Sequence, residues 1–188
     1  SLRGRKGLFL EIHRVPGGRK RRQWLSEVAQ HAAGFLAISG GVAEDLIAAG
    51  IDADAVRVEH DGFQPERFAG QPSRETARAE LGLEPDACVA VYTGGLLRWK
   101  GVDVLVDAAR EVPEVQFVIA GGMDADVARL REYAAGLGNV RIDGFQAPDR
   151  VPLYLAAADM GVVPNRATPA ISARYTSPLK VFEAMAVE

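Results

Sequence analysis

The chain has 188 residues, 48% of them hydrophobic and 25% charged, with a formal net charge of −3. These proportions suit a globular protein with a real core and exclude a low-complexity or disordered chain. One cysteine, Cys88, excludes an internal disulfide, and no apolar run approaches the about eighteen residues that a membrane span needs.

In chain order, residues 1–22 hold eight Lys and Arg and one acid, Glu11, for a net +7; the rest of the chain carries −10. Such a block suits an anionic membrane surface or a phosphorylated acceptor, with a solvated chain end as the alternative. It has no signal-peptide pattern, so a cytoplasmic location is expected, with peripheral contact at the inner membrane face as the further option the basic block leaves open. Gly7–Arg14 reads as a short strand. Residues 20–33 read as a helix with Trp24, Val28 and His31 or Ala32 inward, ended by Gly34. Phe35–Ile38 is a strand, and Val42–Ala49 a helix with Val42, Leu46 and Ile47 inward. Val56–His60 is a strand. Residues 63–72, with Pro65, Gly70 and Pro72, form a connection.

Beyond it the pattern is regular. Ser73 caps a helix through Leu81, with Gly82 after it. Strands at Val89–Thr93, Val115–Ala120, Val140–Asp143 and Met160–Val163 alternate with helices at Val102–Glu111, Asp124–Leu137 and Pro148–Ala157. Cys88, at the start of an apolar run, is expected to be buried. The strands are nearly continuous apolar runs, as strands covered on both faces should be. This predicts an α/β fold with a doubly wound parallel sheet, whose ligand crevice lies at the carboxyl ends of the strands.

Two junctions at those ends carry chemistry. Thr93-Gly94-Gly95-Leu96-Leu97-Arg98-Trp99-Lys100-Gly101 joins a strand to a helix; its glycines let backbone approach a ligand, and Arg98 and Lys100 can neutralise a diphosphate. The spacing is neither that of a P-loop nor a dinucleotide fingerprint. Ser177 and Pro178 start the last helix by N-cap and first-turn chemistry. Free N–H groups there, with Lys180, offer a place for a phosphate, and Glu183 one turn on can accept from sugar hydroxyls. The blander reading is a capped helix with a surface Lys180–Glu183 pair.

The ordered run Y-T-G-G-L-L-R-W-K-G-V-D, F-V-I-A-G-G, V-R-I-D-G-F, Y-L-A-A-A-D-M-G-V-V-P and S-P-L-K-V-F-E-A-M-A resembles the donor-binding domain of family 4 glycosyltransferases. These have the GT-B fold of two Rossmann-like domains. Upstream, L-E-I-H-R, A-I-S-G-G-V-A-E-D-L and V-E-H-D-G-F resemble the end of the acceptor domain and the crossing into the donor domain. The resemblance covers nearly all of residues 8–187.

It implies a partial acceptor-side domain over 1–62 and a donor-binding domain over 63–188, truncated at its end. The expected reaction is sugar transfer from a nucleotide-diphosphate donor to an acceptor hydroxyl, in glycan or glycolipid synthesis. A non-catalytic nucleotide-sugar-binding module is the alternative. By this resemblance Lys100 contacts the diphosphate, Gly94 opens its loop, and Thr176, Ser177, Pro178 and Leu179 form a turn whose amides meet the phosphates. Glu183 binds the ribose, and Phe145 and Gln146 hold the nucleobase. His13 is a candidate catalytic or sugar-contacting residue, with a structural role as the alternative. No metal or other cofactor and no nucleic-acid partner is expected; the D-A-D runs at 52–54 and 124–126 read as structural. Two positions depart from the family. Tyr175 stands where a first glutamate is associated with the donor sugar, and Gly95 stands where many members carry arginine, a charge that Arg98 is expected to replace.

Overall fold

A computed structural model of the chain describes residues 7–15, 17–176 and 179–187, with the backbone alone at 19–22 and 170. In chain order the elements are β1 (Leu8–Ile12), α1 (Arg19–Ala29), β2 (Ala32–Ala37), α2 (Gly40–Ala48), β3 (Val56–Val58), α3 (Arg74–Leu81), β4 (Cys88–Thr93) and α4 (Val102–Glu111). They continue with β5 (Val115–Ala120), α5 (Asp124–Tyr133), β6 (Val140–Gly144), α6 (Val151–Ala156), β7 (Met160–Gly161), α7 (Ala170–Ala173) and α8 (Leu179–Met185). Among the described residues no helix is long and apolar enough to cross a membrane.

The chain folds as two compact units. One comprises residues 1–62 with 167–178, the other 63–166 with 179–188. The segment 167–178, expected in the second domain, thus belongs to the first unit. Its anchors there are polar. Ser39 donates to the carbonyl of Arg174 (2.5 Å), the Arg174 guanidinium meets Glu44 (2.9 Å), and the Tyr175 hydroxyl donates to Asp45 (2.5 Å). None of these long-range bonds leaves a sequence signal.

The first unit is built on a parallel sheet in the order β1-β2-β3. Its core gathers Leu25, Phe35, Val42, Leu46 and Ile51. Three expectations about its helices need correction. Trp24 and His31 are exposed and Leu25 is buried, so α1 turns its Leu25–Val28–Ala29 stripe inward. Gly34 does not end the helix: the chain is already extended at Ala32, which pairs with Leu8. In α2 Ile47, expected inward, is exposed, because the helix starts at Gly40 and aims Val42, Ala43 and Leu46 at the core.

The second unit is a parallel sheet in the order β6-β5-β4-β7. Alternation along β4 explains its apolar run. Ala90 and Tyr92 face one layer with Val102, Leu105 and Val106 of α4 and Leu130 of α5. Val89 and Val91 face the other, with Ala77 and Leu81 of α3 and Leu153 to Leu155 of α6. Both faces are covered, which makes this a doubly wound sheet. Cys88 is exposed, because it opens β4 ahead of the covered residues. The helix expected at Asp124–Leu137 ends at Tyr133, and the strand expected at Met160–Val163 holds only Met160 and Gly161.

A buried arginine ties the second layer together. Arg78, 4% exposed, donates to the Asp159 carboxylate (2.6 Å) and to the carbonyl of Ala157 (3.0 Å). Asp159 also accepts from the Val89 N–H (2.7 Å), and that bond, with the Arg78 guanidinium, holds its carboxyl below the usual range. Asp159 is therefore a structural hub.

Leu130 is fully buried and Val104 is 43% exposed on the neighbouring helix. Chemical denaturation should show Leu130→Ala losing about 2–5 kcal/mol and Val104→Ala less than about 1 kcal/mol.

Candidate functional site

In the second unit the order of strands reverses at β4: β5 and β6 lie to one side and β7 to the other. Open α/β sheets place their ligand crevice at such a point, beyond the carboxyl ends of the strands. The Gly94–Gly101 loop leaves β4 there, and residues 162–166 leave β7.

Local chemistry shapes the first loop. Residues 98–100 make one 3-10 turn, and Gly101 closes it in the left-handed region at φ 72°. A Cβ at Gly101 would lie 2.0 Å from the Pro164 carbonyl oxygen, so only glycine lets the two loops meet. The Lys100 ammonium lies 5.2 Å from the Trp99 ring centroid. Arg98 is exposed and lines a groove with Asp103, Arg129, Glu132 and Tyr133 instead of the glycine-lined cavity. A 3-10 turn advances about a third of a revolution per residue, so Arg98 and Lys100 leave it in different directions.

The second cation comes from α8. Lys180 is half-buried, with its ammonium 5.3 Å from the centroid of the Tyr92 ring. It rests on Gly94: a Cβ there would lie 2.7 Å from Lys180 Cε and 3.0 Å from Nζ. Gly94 also has φ 130°, a region that side chains rarely adopt. The Tyr92 hydroxyl donates to the Gly95 carbonyl (2.7 Å), which fixes the glycine pair from below. Burial, and then the facing Lys100 ammonium, push Lys180 down to about 8; Glu183 on the same helix pulls the other way. Lys100, Lys180 and Glu183 are thus brought together by the β4 loop and α8.

Beside them is a cavity of about 400 Å³. Gly94, Gly95, Leu96, Gly122 and Met123 line it, together with Phe145 and Gln146. Phe145 is 71% exposed, a large aromatic face with little around it. The cavity and the lysine pair share Gly94. Its size and apolar walls suit a flat heterocycle, and the lysines beside it suit an anion.

The remaining predicted residues divide. Leu179 opens α8 and is half-buried. Thr176 lies in the first unit, with its hydroxyl donating to the Ile171 carbonyl (2.6 Å). Ser177 and Pro178 lie outside the described residues. His13 belongs to the first unit, exposed, with Nε2 2.7 Å from a Glu11 carboxylate oxygen. Glu11, His13 and Asp61 bring ligand-type atoms within 4.8 Å of one another, a grouping hidden in sequence by the distance to Asp61. Tyr92 was also missed. The signal for it was an aromatic hydroxyl on an otherwise aliphatic strand, two residues before a glycine pair.

The family described as "Glycosyl transferases group 1" matches residues 87–188. The chain belongs to this family. The chain is 32% identical over 163 residues to the alpha-maltose-1-phosphate synthase of Mycobacterium tuberculosis, covering 79% of this chain and 42% of that one. It is 31% identical over 131 residues to the D-inositol 3-phosphate glycosyltransferase of Streptomyces bingchenggensis, covering 62% and 29%. It spans less than half the length of either relative. Among solved structures it resembles Anabaena HepE in complex with UDP, with a TM-score of 0.78 at 24% identity over 97% of this chain and 52% of that one. HepE has also been solved with UDP-glucose. That likeness places the chain in the GT-B fold.

Side-chain space separates the paired glycines. A Cβ at Gly95 would meet nothing within 4 Å. Gly94→Ala should cost about 1–3 kcal/mol of stability and displace Lys180, while Gly95→Ala should be near neutral. Thermal unfolding of the two variants compares them directly.

Proposed function

We propose that the protein transfers a sugar from a nucleotide-diphosphate donor to an acceptor hydroxyl, as in glycan or glycolipid synthesis. The observation that carries this reading is the pairing of two lysine side chains, Lys100 and Lys180, beside an apolar cavity at the switch point of a parallel sheet. Like charges brought together at a half-buried site call for an anion. Family membership supports a nucleotide-sugar donor, as do the UDP and UDP-glucose bound by the structural relative.

In this reading the diphosphate lies on the lysines and the base enters the cavity towards Phe145 and Gln146. The Glu183 carboxylate accepts from the ribose hydroxyls. As the sugar leaves, negative charge develops on the diphosphate, and the two ammonium groups stabilise it without rearranging. These groups supply the positive charge that a metal ion would otherwise bring, so the proposed chemistry includes no metal. Tyr175 does not restore the absent carboxylate, since its hydroxyl is engaged by Asp45; sugar recognition therefore falls to other groups. His13, held by Glu11, is the acceptor-side candidate for a sugar contact. The net +7 of residues 1–22 suits an anionic membrane face as the place of a lipid-linked acceptor.

Calorimetric titration of the full-length protein with UDP, GDP and ADP should reveal micromolar or tighter binding of at least one of them. Lys100→Ala and Glu183→Ala should each weaken that binding by about 1–3 kcal/mol. Unchanged affinity in both variants would remove the site. A sugar-transfer assay on the same protein separates a transferase from a binding module.

A further inference from the structure

We infer that Lys180 is a proton-linked second cation of the diphosphate site, so that a diphosphate binding between Lys180 and Lys100 brings a proton with it. This rests on the donor-binding reading above.

The geometry supplies the reason. The Lys180 side chain reaches the site through the gap that Gly94 leaves, and its ammonium sits over the face of Tyr92. The ring's attraction for the ammonium offsets its lost hydration only in part. The groups facing Lys180 can be named element by element. From the β4 loop comes Lys100, a like charge. From β4 comes Tyr92, whose hydroxyl is pushed up by burial and stays neutral. From its own helix comes Glu183, one opposing charge. Asp159, at the start of β7, lines a neighbouring cavity with Lys180, but its carboxylate is held by the Val89 N–H and by Arg78. Two cations thus face one available carboxylate in a half-buried place. Accordingly Lys180 is pushed down to about 8, first by burial and then by Lys100.

A diphosphate offsets both causes. It places negative charge between the ammonium groups and gives Lys180 strong acceptors, which raises its proton affinity. The sign follows. Below about pH 7 Lys180 is already charged and binding takes up almost no proton. Above about pH 8 the free site is mostly neutral at Lys180, and binding must protonate it. No bond is made or broken; one proton moves from solvent to Nζ. The fall in affinity with pH begins near 8, well below the usual range of a lysine.

The test is calorimetry on the full-length protein with whichever of UDP, GDP or ADP binds best at pH 7. Each titration is run in two buffers of different ionisation enthalpy. At pH 8.5 the difference should correspond to uptake of about three-quarters of a proton, against about a tenth at pH 7. From pH 8 to 9 the affinity should drop by about fivefold. Lys180→Arg keeps its charge at every pH; it should bind with no uptake at pH 8.5 and with flat affinity. Arginine is bulkier over Gly94, so Lys180→Met is measured beside it and should bind more weakly, again without uptake. Binding with no proton uptake in the wild type, or uptake that persists in both variants, overturns the inference and leaves the donor-site reading standing. No binding of any of the three nucleotides at pH 7 overturns both.

Discussion

Two lysines that repel one another define this molecule's chemistry. Lys100 comes from the loop after β4 and Lys180 from α8, 80 residues later, and the fold holds them together with one carboxylate, Glu183, for relief. Such an arrangement costs stability in the empty protein. It persists because the surrounding packing over-determines it: Gly101 lets the Lys100 loop dock on Pro164, and Gly94 lets Lys180 lie on Tyr92. In the donor-site reading an anion would turn that cost into binding.

The sheet places this confrontation where it is useful. In β4 alternate residues feed two separate core layers, which fixes the strand rigidly and leaves only its carboxyl end to the site. Tyr92 links the two roles. Its ring is fully buried in one layer, and its hydroxyl reaches the Gly95 carbonyl and supports the glycine pair. The Arg78–Asp159 pair does similar work at the opposite layer, joining α3 to the starts of β4 and β7. The cations of the site are therefore presented by short loops and a helix start anchored on a covered sheet.

Features that depend on local periodicity were legible in the sequence. The α4 stripe of Val102, Leu105, Val106 and Ala109 is buried as its spacing requires, and Ser73 and Gly82 bracket α3 as N-cap and left-handed C-cap. The order of the motifs made the parallel sheet and the glycine–lysine loop readable. Errors fell where phase or long-range contact decides. One step of helical phase separates Trp24 from the buried Leu25, and composition does not fix that step. Arg98 and Lys100 are alike in charge and two apart, and only the rotation of a 3-10 turn separates them. The attachment of Arg174 and Tyr175 to α2 spans about 130 residues and leaves no local trace. Lys180 was readable as a cation at a helix start; its seat on Gly94 and Tyr92 was not.

The departure at Gly95 then acquires a physical sense. Where an arginine is absent after the first glycine, the open space above the pair is adjacent to a lysine delivered by another element. In the donor-site reading the charge is kept but its chemistry changes, because an ammonium in a half-buried place can lose its proton where a guanidinium does not. The most direct test is a crystal structure with a bound nucleoside diphosphate. The account predicts phosphate oxygens within about 3.2 Å of both the Lys100 and the Lys180 nitrogens, with the base in the cavity beside Gly94. Phosphates held against Arg98, with both lysines untouched, would contradict it.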